Sequence, residues 1–353
     1  MCNRFILCLF LILLAVSCSP ASPSPAETYQ PTGEITMTPA VPPAPTWTAP
    51  PTETDLPPLA VLLAPAGSPV ELVERLSSGL AAPVSQAGMR WEVRSSLTTQ
   101  DVTPDLRLVI LLSSGLEAAS LAAAAPQVQF LAVGASGLTP ASNLSLVGAE
   151  GERYDQQGFI AGLIAAMITP DWRVGVISVA DTAAGKAARQ GFLNGVVYFC
   201  GLCLPYHGPI FDYPQYVELP SSAAEAEWQV AADTLISRAV KTIYLFPHIP
   251  APGLAEYLAQ SGVKLLGGIQ PPETLQPSWV ATVTTDPLPA ALGILPDLLA
   301  GRGGASLPAP VVVQDINGAL FTPGRQAALE TMRLDLLKGV IDTGVDPVTG
   351  EAR

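Results

Sequence analysis

From Leu59 onward the chain alternates short apolar runs with longer Ala- and Leu-rich stretches. Leu59-Ala-Val-Leu-Leu-Ala64 is apolar at every position, the pattern of a parallel strand covered on both faces. Further runs of this kind predict strands at Arg90–Ser95, Leu106–Ser113, Val128–Gly134, Leu144–Gly148, Val174–Val179, Lys241–Phe246, Val263–Ile269, Val280–Thr285 and Pro310–Gln314. Stretches of helical length lie between most of them, notably Asp155–Ile168, Ala183–Phe199, Ala223–Arg238, Gly253–Ser261, Leu288–Ala300 and Gly324–Val340. Ser68 and Glu71 have capping-box spacing around Pro69, so a helix is expected to start there, with Pro69 at its first position. Alternation of this sort predicts an α/β fold with parallel sheets. About 295 residues exceed one comfortable hydrophobic core, which favours two lobes.

The chain before Leu59 has no such pattern. Arg4 precedes Phe5 to Ser17, an uncharged apolar run of 13 residues, short for a membrane span and suited to a signal peptide at 1–18. Ala15-Val16-Ser17-Cys18 resembles the lipobox of bacterial lipoproteins, which implies lipidation of Cys18 and a membrane anchor; the alternative is a plain signal peptide with an incidental Cys18. Residues 19–58 hold 12 of the 36 prolines among Thr, Ser and Ala. Too little apolar area is available there to offset ordering entropy, so a disordered tether is expected. About 40 residues of polyproline II reach roughly 120 Å. No later segment is long enough to span a bilayer; Phe159–Ile168, the most apolar, is about half the required length.

Charge and composition then narrow the classes of function. The net charge of −13 opposes nucleic-acid binding, which needs Lys and Arg to neutralise phosphate. Two His and no repeated Cys/His spacing argue against a metal site, and no cofactor is expected. Cys200-Gly-Leu-Cys203 reads as a disulfide staple or as a redox pair; its place after a helix, away from the positive end of the dipole, favours the staple. Gly-x-Ser-x-Gly, P-loop, Gly-x-Gly-x-x-Gly and His-Glu-x-x-His patterns are all missing, so the chain does not read as an enzyme.

Three consecutive parts carry most information: Tyr154-Asp-Gln-Gln-Gly-Phe-Ile-Ala-Gly-Leu-Ile-Ala-Ala-Met167, Trp172-Arg-Val-Gly-Val-Ile-Ser178 and Ala188-Arg-Gln-Gly-Phe-Leu-Asn-Gly195. Gly158, Ala161, Gly162, Ala165 and Ala166 on one helix, and Gly191 and Gly195 on a later one, would allow close approach to a neighbouring backbone; ordinary helix–sheet packing is the alternative. The order and spacing of the three parts resemble the basic membrane protein (BMP) family of substrate-binding lipoproteins, and Gly324 to Asp342 resembles that family's C-terminal helix and the segment after it. The resemblance implies a type I periplasmic-binding-protein fold of two Rossmann-like lobes joined by crossing hinge strands. It places lobe 1 at about 59–150 and 282–305, and lobe 2 at about 151–281 and 306–353. It also implies a small-molecule ligand, typically a nucleoside, and partnership with the permease subunits of an ABC importer on the extracytoplasmic side of a bacterial membrane.

In this fold the ligand lies at the carboxyl ends of the strands. Candidate binding residues are therefore Ser113, Ser114, Tyr154, Asp181, His248, Gln270 and Asp286. The favoured alternatives are a helix N-cap for Asp181 and burial against the other lobe for Tyr154. His248 is either a cleft residue or a loop histidine, His207 a surface-turn residue and Trp228 a core residue. The sequence departs from the family after the first strand, at Pro65-Ala-Gly-Ser68, and at Gly268-Ile-Gln270, where an amide replaces the family's ribose-binding carboxylate. The main expectation is a solute-binding lipoprotein; a sensory lipoprotein on the same fold is the alternative.

Overall fold

A computed structural model describes residues 56–112 and 115–353. The expected signal peptide, Cys18, nearly all of the tether, Ser113 and Ser114 lie outside the described residues. The described residues form one compact unit.

The chain begins with β1 (Leu59–Leu63), α1 (Val70–Gln86), β2 (Arg90–Arg94), β3 (Leu106–Leu111), α2 (Gly115–Ala124), β4 (Gln129–Val133) and β5 (Leu144–Val147). It crosses at 148–153 and continues with α3 (Tyr154–Ile168), β6 (Val174–Val179), α4 (Ala183–Cys200), β7 (Gln215–Leu219) and α5 (Glu225–Ser237). The same lobe then takes β8 (Thr242–Leu245), α6 (Leu254–Gln260), β9 (Lys264–Gly267) and β10 (Trp279–Thr285). The chain returns to lay α7 (Leu288–Leu299) and β11 (Ser306–Leu307) on the first lobe, then closes the second with β12 (Val311–Gln314) and α8 (Pro323–Leu337).

Two six-stranded sheets result, in the orders β11-β5-β4-β3-β1-β2 and β12-β10-β9-β8-β6-β7. The first is parallel throughout, and in the second only β12 runs antiparallel, beside β10. The chain is thus α/β, with two Rossmann-like lobes joined by three crossings, the architecture of type I periplasmic binding proteins. Helices cover both faces of the first sheet, which accounts for the unbroken apolar runs of its central strands.

Several local expectations change. Val70 starts α1 with Pro69 as its N-cap residue, and no side-chain cap forms, so the Ser68–Glu71 capping box is not made; Pro69, with ψ of 120°, turns the chain into the helix by itself. β7, β11 and α2 are additional elements. β7 is an edge strand whose residues are mostly half-buried, and β11 has two residues, so neither carries a strong apolar run. β10 belongs to the second sheet through Thr285, beyond the expected crossing near 282, because it pairs with β9 on one side and β12 on the other. β11 likewise extends the first lobe past 305.

α3 and α4 cross at backbone contact. A Cβ on Gly158 would sit 2.1 Å from the Ala188 carbonyl oxygen, and one on Gly162 2.3 Å from that of Phe192. Reciprocally, Gly191 would meet the oxygen of Asp155 at 2.2 Å, and Gly195 that of Phe159 at 2.1 Å. Real Cβ atoms do not pack this closely, so glycine at these four positions is a steric requirement. With α4 on one side and β8, β10 and α8 on the others, residues 157–168 of α3 are all buried.

Gly162→Ala or Gly195→Ala is expected to lower stability by roughly 1–3 kcal/mol through overpacking, measured by urea unfolding. Gly293→Ala, in α7 with open space around it, should instead be neutral or stabilising by up to about 1 kcal/mol.

Candidate functional site

A pocket of about 340 Å³ opens between the lobes. Glu71 and Arg75 of α1 form one wall; Gln270 after β9, Thr284 of β10, Asp286 and Gln314 of β12 form the other. Hydroxyls, amides, carboxylates and one guanidinium thus converge where strand ends of the second lobe meet α1 of the first. Such a set can both donate to and accept from a polar solute.

Arg75 is the element that joins the walls. Its Nη1 donates to Asp286 Oδ2 at 3.0 Å and its Nη2 to Gln314 Oε1 at 2.7 Å. Asp286 Oδ1 accepts the Leu288 N–H at 2.9 Å at the start of α7, while the Asp286 N–H donates to the Pro310 carbonyl at 3.0 Å. Asp286 therefore ties the second crossing to the third and holds α1 through Arg75. Its carboxylate faces the pocket with partners already engaged.

Within the second lobe, the first residue of α3 meets the loop after β8. The Tyr154 hydroxyl and His248 Nε2 are hydrogen-bonded at 2.8 Å, and the Tyr154 ring stands edge-on to Phe246 at 5.4 Å. His248 also packs edge-on to Phe246 at 5.4 Å. Burial, reinforced by the Glu152 carboxylate, pushes the Tyr154 phenol well above its usual range, so the phenol stays protonated and able to donate. Tyr154 packs within its own lobe, not against the other one, because Phe246 and His248 supply its apolar surface. Two residues distant in sequence are brought together here.

Asp181 lies elsewhere. It is exposed and accepts the Ser221 N–H at 3.0 Å and the Ser221 hydroxyl at 2.8 Å, bonds that hold its carboxyl below the usual carboxylate range. The N-cap of α4 is Thr182, whose hydroxyl accepts the Gly185 N–H at 3.0 Å, so Asp181 does not cap that helix. It instead fastens the turn after β7 to the end of β6. Gln270 borders the interlobe pocket and an adjacent apolar one.

Cys200 and Cys203 are disulfide-bonded, with Cα atoms 5.2 Å apart, and close the turn that ends α4. The His207 carbonyl accepts from Arg173 Nη2 at 2.6 Å while His207 is exposed, and Trp228 is fully buried. Among the described residues, no group of three or more His, Cys, Asp or Glu side chains is placed to hold a metal ion. Sequence reasoning missed Arg75, Glu71 and Gln314. Gln314 was legible as the last residue of a strand, whereas Arg75 belongs to no motif and faces the cleft only because α1 enters it.

No protein-family model matches this chain, and no curated protein matches it in sequence. Solved structures do resemble it. An ABC transporter system solute-binding protein from Conexibacter woesei DSM 14684 aligns with a TM-score of 0.56 at 15% identity, covering 81% of this chain and 98% of that one. A transcriptional activator of the comK gene from Bacillus halodurans aligns with a TM-score of 0.53 at 12% identity, covering 80% and 99%. At such identities the likeness establishes the fold alone. The two proteins have different roles, so function here has to be argued from the site.

Arg75→Ala is expected to cost no more than about 1 kcal/mol in urea unfolding, because the Arg75 side chain is 41% exposed and Asp286 keeps the Leu288 N–H. Small-angle scattering should show a larger radius of gyration for the variant as the tie between α1 and the hinge is released.

Proposed function

We propose that this chain is an extracytoplasmic solute-binding lipoprotein that captures a small polar solute between its lobes and delivers it to the permease of an ABC importer. The observation that carries this reading is the polar pocket with walls from both lobes, set beside three crossings that can act as a hinge. Closure about such crossings is a rigid-body motion that buries the solute.

By resemblance to the BMP family, the solute is nucleoside-like. The side chains lining the pocket suit the sugar part of that class: Gln270, Thr284 and Gln314 offer amides and a hydroxyl for a ribose. The Cys200–Cys203 disulfide fits an oxidising compartment outside the cytoplasm. Ala15 to Cys18 supplies the anchor and residues 19–58 the reach from it.

A thermal-shift screen of the protein against nucleosides, bases, sugars and amino acids tests the ligand. At 100 times Kd a true ligand adds about 2.7 kcal/mol, which raises the midpoint by roughly 5–10 °C in a domain of this size. A response to sugars alone would remove the nucleoside assignment and keep capture; silence across all four classes would remove both. Cys18→Ser should abolish lipid attachment, read as the absence of a lipid-modified N-terminus by mass spectrometry. An unchanged lipid signal in that variant would sink the anchor.

A further inference from the structure

More exposed large apolar side chains lie between 197 and 211 than in any other stretch of that length among the described residues. This stretch holds the last turn of α4 and the loop that the Cys200–Cys203 disulfide begins. Val197, Tyr198 and Phe199 follow one another on the helix and so point in directions about 100° apart, yet all three are exposed. The turn therefore projects from the lobe instead of lying flat on it. Beyond it, Leu202 is 85% exposed, Tyr206 77% and Ile210 69%. From Gln190 to Phe211 the chain carries no Asp, Glu, Lys or Arg, in a protein whose net charge is −13. An apolar surface of this kind marks a binding face.

The loop is held in place from below. Arg173, whose side chain is buried, donates through Nη2 to the His207 carbonyl at 2.6 Å and through Nη1 to the Pro209 carbonyl at 3.0 Å. Nη1 also donates to the Tyr213 hydroxyl at 3.2 Å. Two loop carbonyls are thus satisfied from within, which lowers the cost of taking this backbone out of water. Tyr206 packs against Trp172, their ring centres 5.9 Å apart. Because Arg173 immediately precedes β6, the loop sits at the amino ends of the strands of the second sheet. The interlobe pocket lies at the other edge, where β9 and β10 end.

An uncharged, projecting tip that carries Tyr and Phe beside Leu and Ile has the chemistry of the bilayer interface, where aromatic rings sit at headgroup level and aliphatic side chains reach the acyl boundary. Two such tips from two copies would bury little area against each other, which disfavours self-association. We propose that the tip at 197–211 seats on the lipid surface of the membrane. The proposal builds on the lipid-anchored reading above. A tether of about 40 residues reaches roughly 120 Å, several times the roughly 19 Å radius of gyration of a domain of this size. It limits distance and leaves orientation open. The tip sets the orientation, with the amino edge of the second sheet against lipid and the interlobe pocket turned away from it.

Flotation of the chain from Ser19 onward with phosphatidylcholine vesicles tests it. This protein keeps the whole compact unit and lacks Cys18, so the outcome does not depend on lipidation. Neutral lipid is used because an anionic surface repels an acidic protein. The protein should float with vesicles at millimolar lipid. Leu202→Asp combined with Ile210→Asp should weaken binding at least tenfold, whereas Val230→Asp, at an exposed site on α5, should leave it unchanged. Amide exchange on the unaltered protein needs no variant: vesicles should slow exchange at 197–211 and nowhere else. The proposal is overturned by no flotation at millimolar lipid, by equal flotation of the double variant, or by a concentration-dependent dimer in analytical ultracentrifugation that the double variant abolishes. Flotation of this protein, together with a native chain that carries no lipid on its N-terminus, would remove the anchor and keep the tip.

Discussion

Helices α3 and α4 touch backbone to backbone, and much of the second lobe is arranged around that contact. Four glycines alternate between the helices so that each faces a carbonyl of its partner at a distance no Cβ could occupy. The crossing fixes more than local packing. α3 is the first element after the chain leaves the first lobe, and the Asp155 carbonyl is one of the oxygens that Gly191 accommodates. Tyr154, one residue earlier, is set by the same register against Phe246 and His248. The completely buried Asp155 carboxylate is held by Arg153 through two bonds of 2.8 Å and by the Thr343 hydroxyl at 2.8 Å. Thr343 in turn accepts from Asn194 of α4 through its carbonyl at 2.7 Å, so the C-terminal segment closes the ring of contacts.

The hinge contrasts with this rigidity. Its lobes are tied by Arg75, whose side chain is 41% exposed, and an ion pair so accessible to water contributes little net energy. The solute capture proposed above calls for this division of labour. Each lobe must keep its shape while the angle between lobes changes, and that calls for dense packing inside the lobes and polar, exchangeable contacts between them. Arg75, Asp286 and Gln314 provide exchangeable contacts at the place where a polar solute would compete for them.

Much of the architecture was legible in the sequence because strands covered on both faces must be apolar throughout, and helices between them must carry small and aliphatic residues. The four glycines were legible for a different reason: their spacing on two neighbouring helices has a steric meaning that does not depend on distant residues. β7 and β11 escaped because a half-buried edge strand and a two-residue strand leave no strong pattern. Asp181 misled because an acid before a helix resembles a cap, while the real cap is the next residue, Thr182, and Asp181 serves a turn 40 positions away.

By itself the sequence determined the alternation of strand and helix, the small-residue faces that permit close packing and the change of character near Leu59, since each follows from short-range periodicity or steric size. The tertiary structure alone decided the site. Tyr154 meets His248, and Arg75 reaches Asp286 and Gln314. Each of these contacts joins residues far apart in the chain. No local rule of spacing encodes such a meeting, because it depends on how two sheets and three crossings bring their ends together.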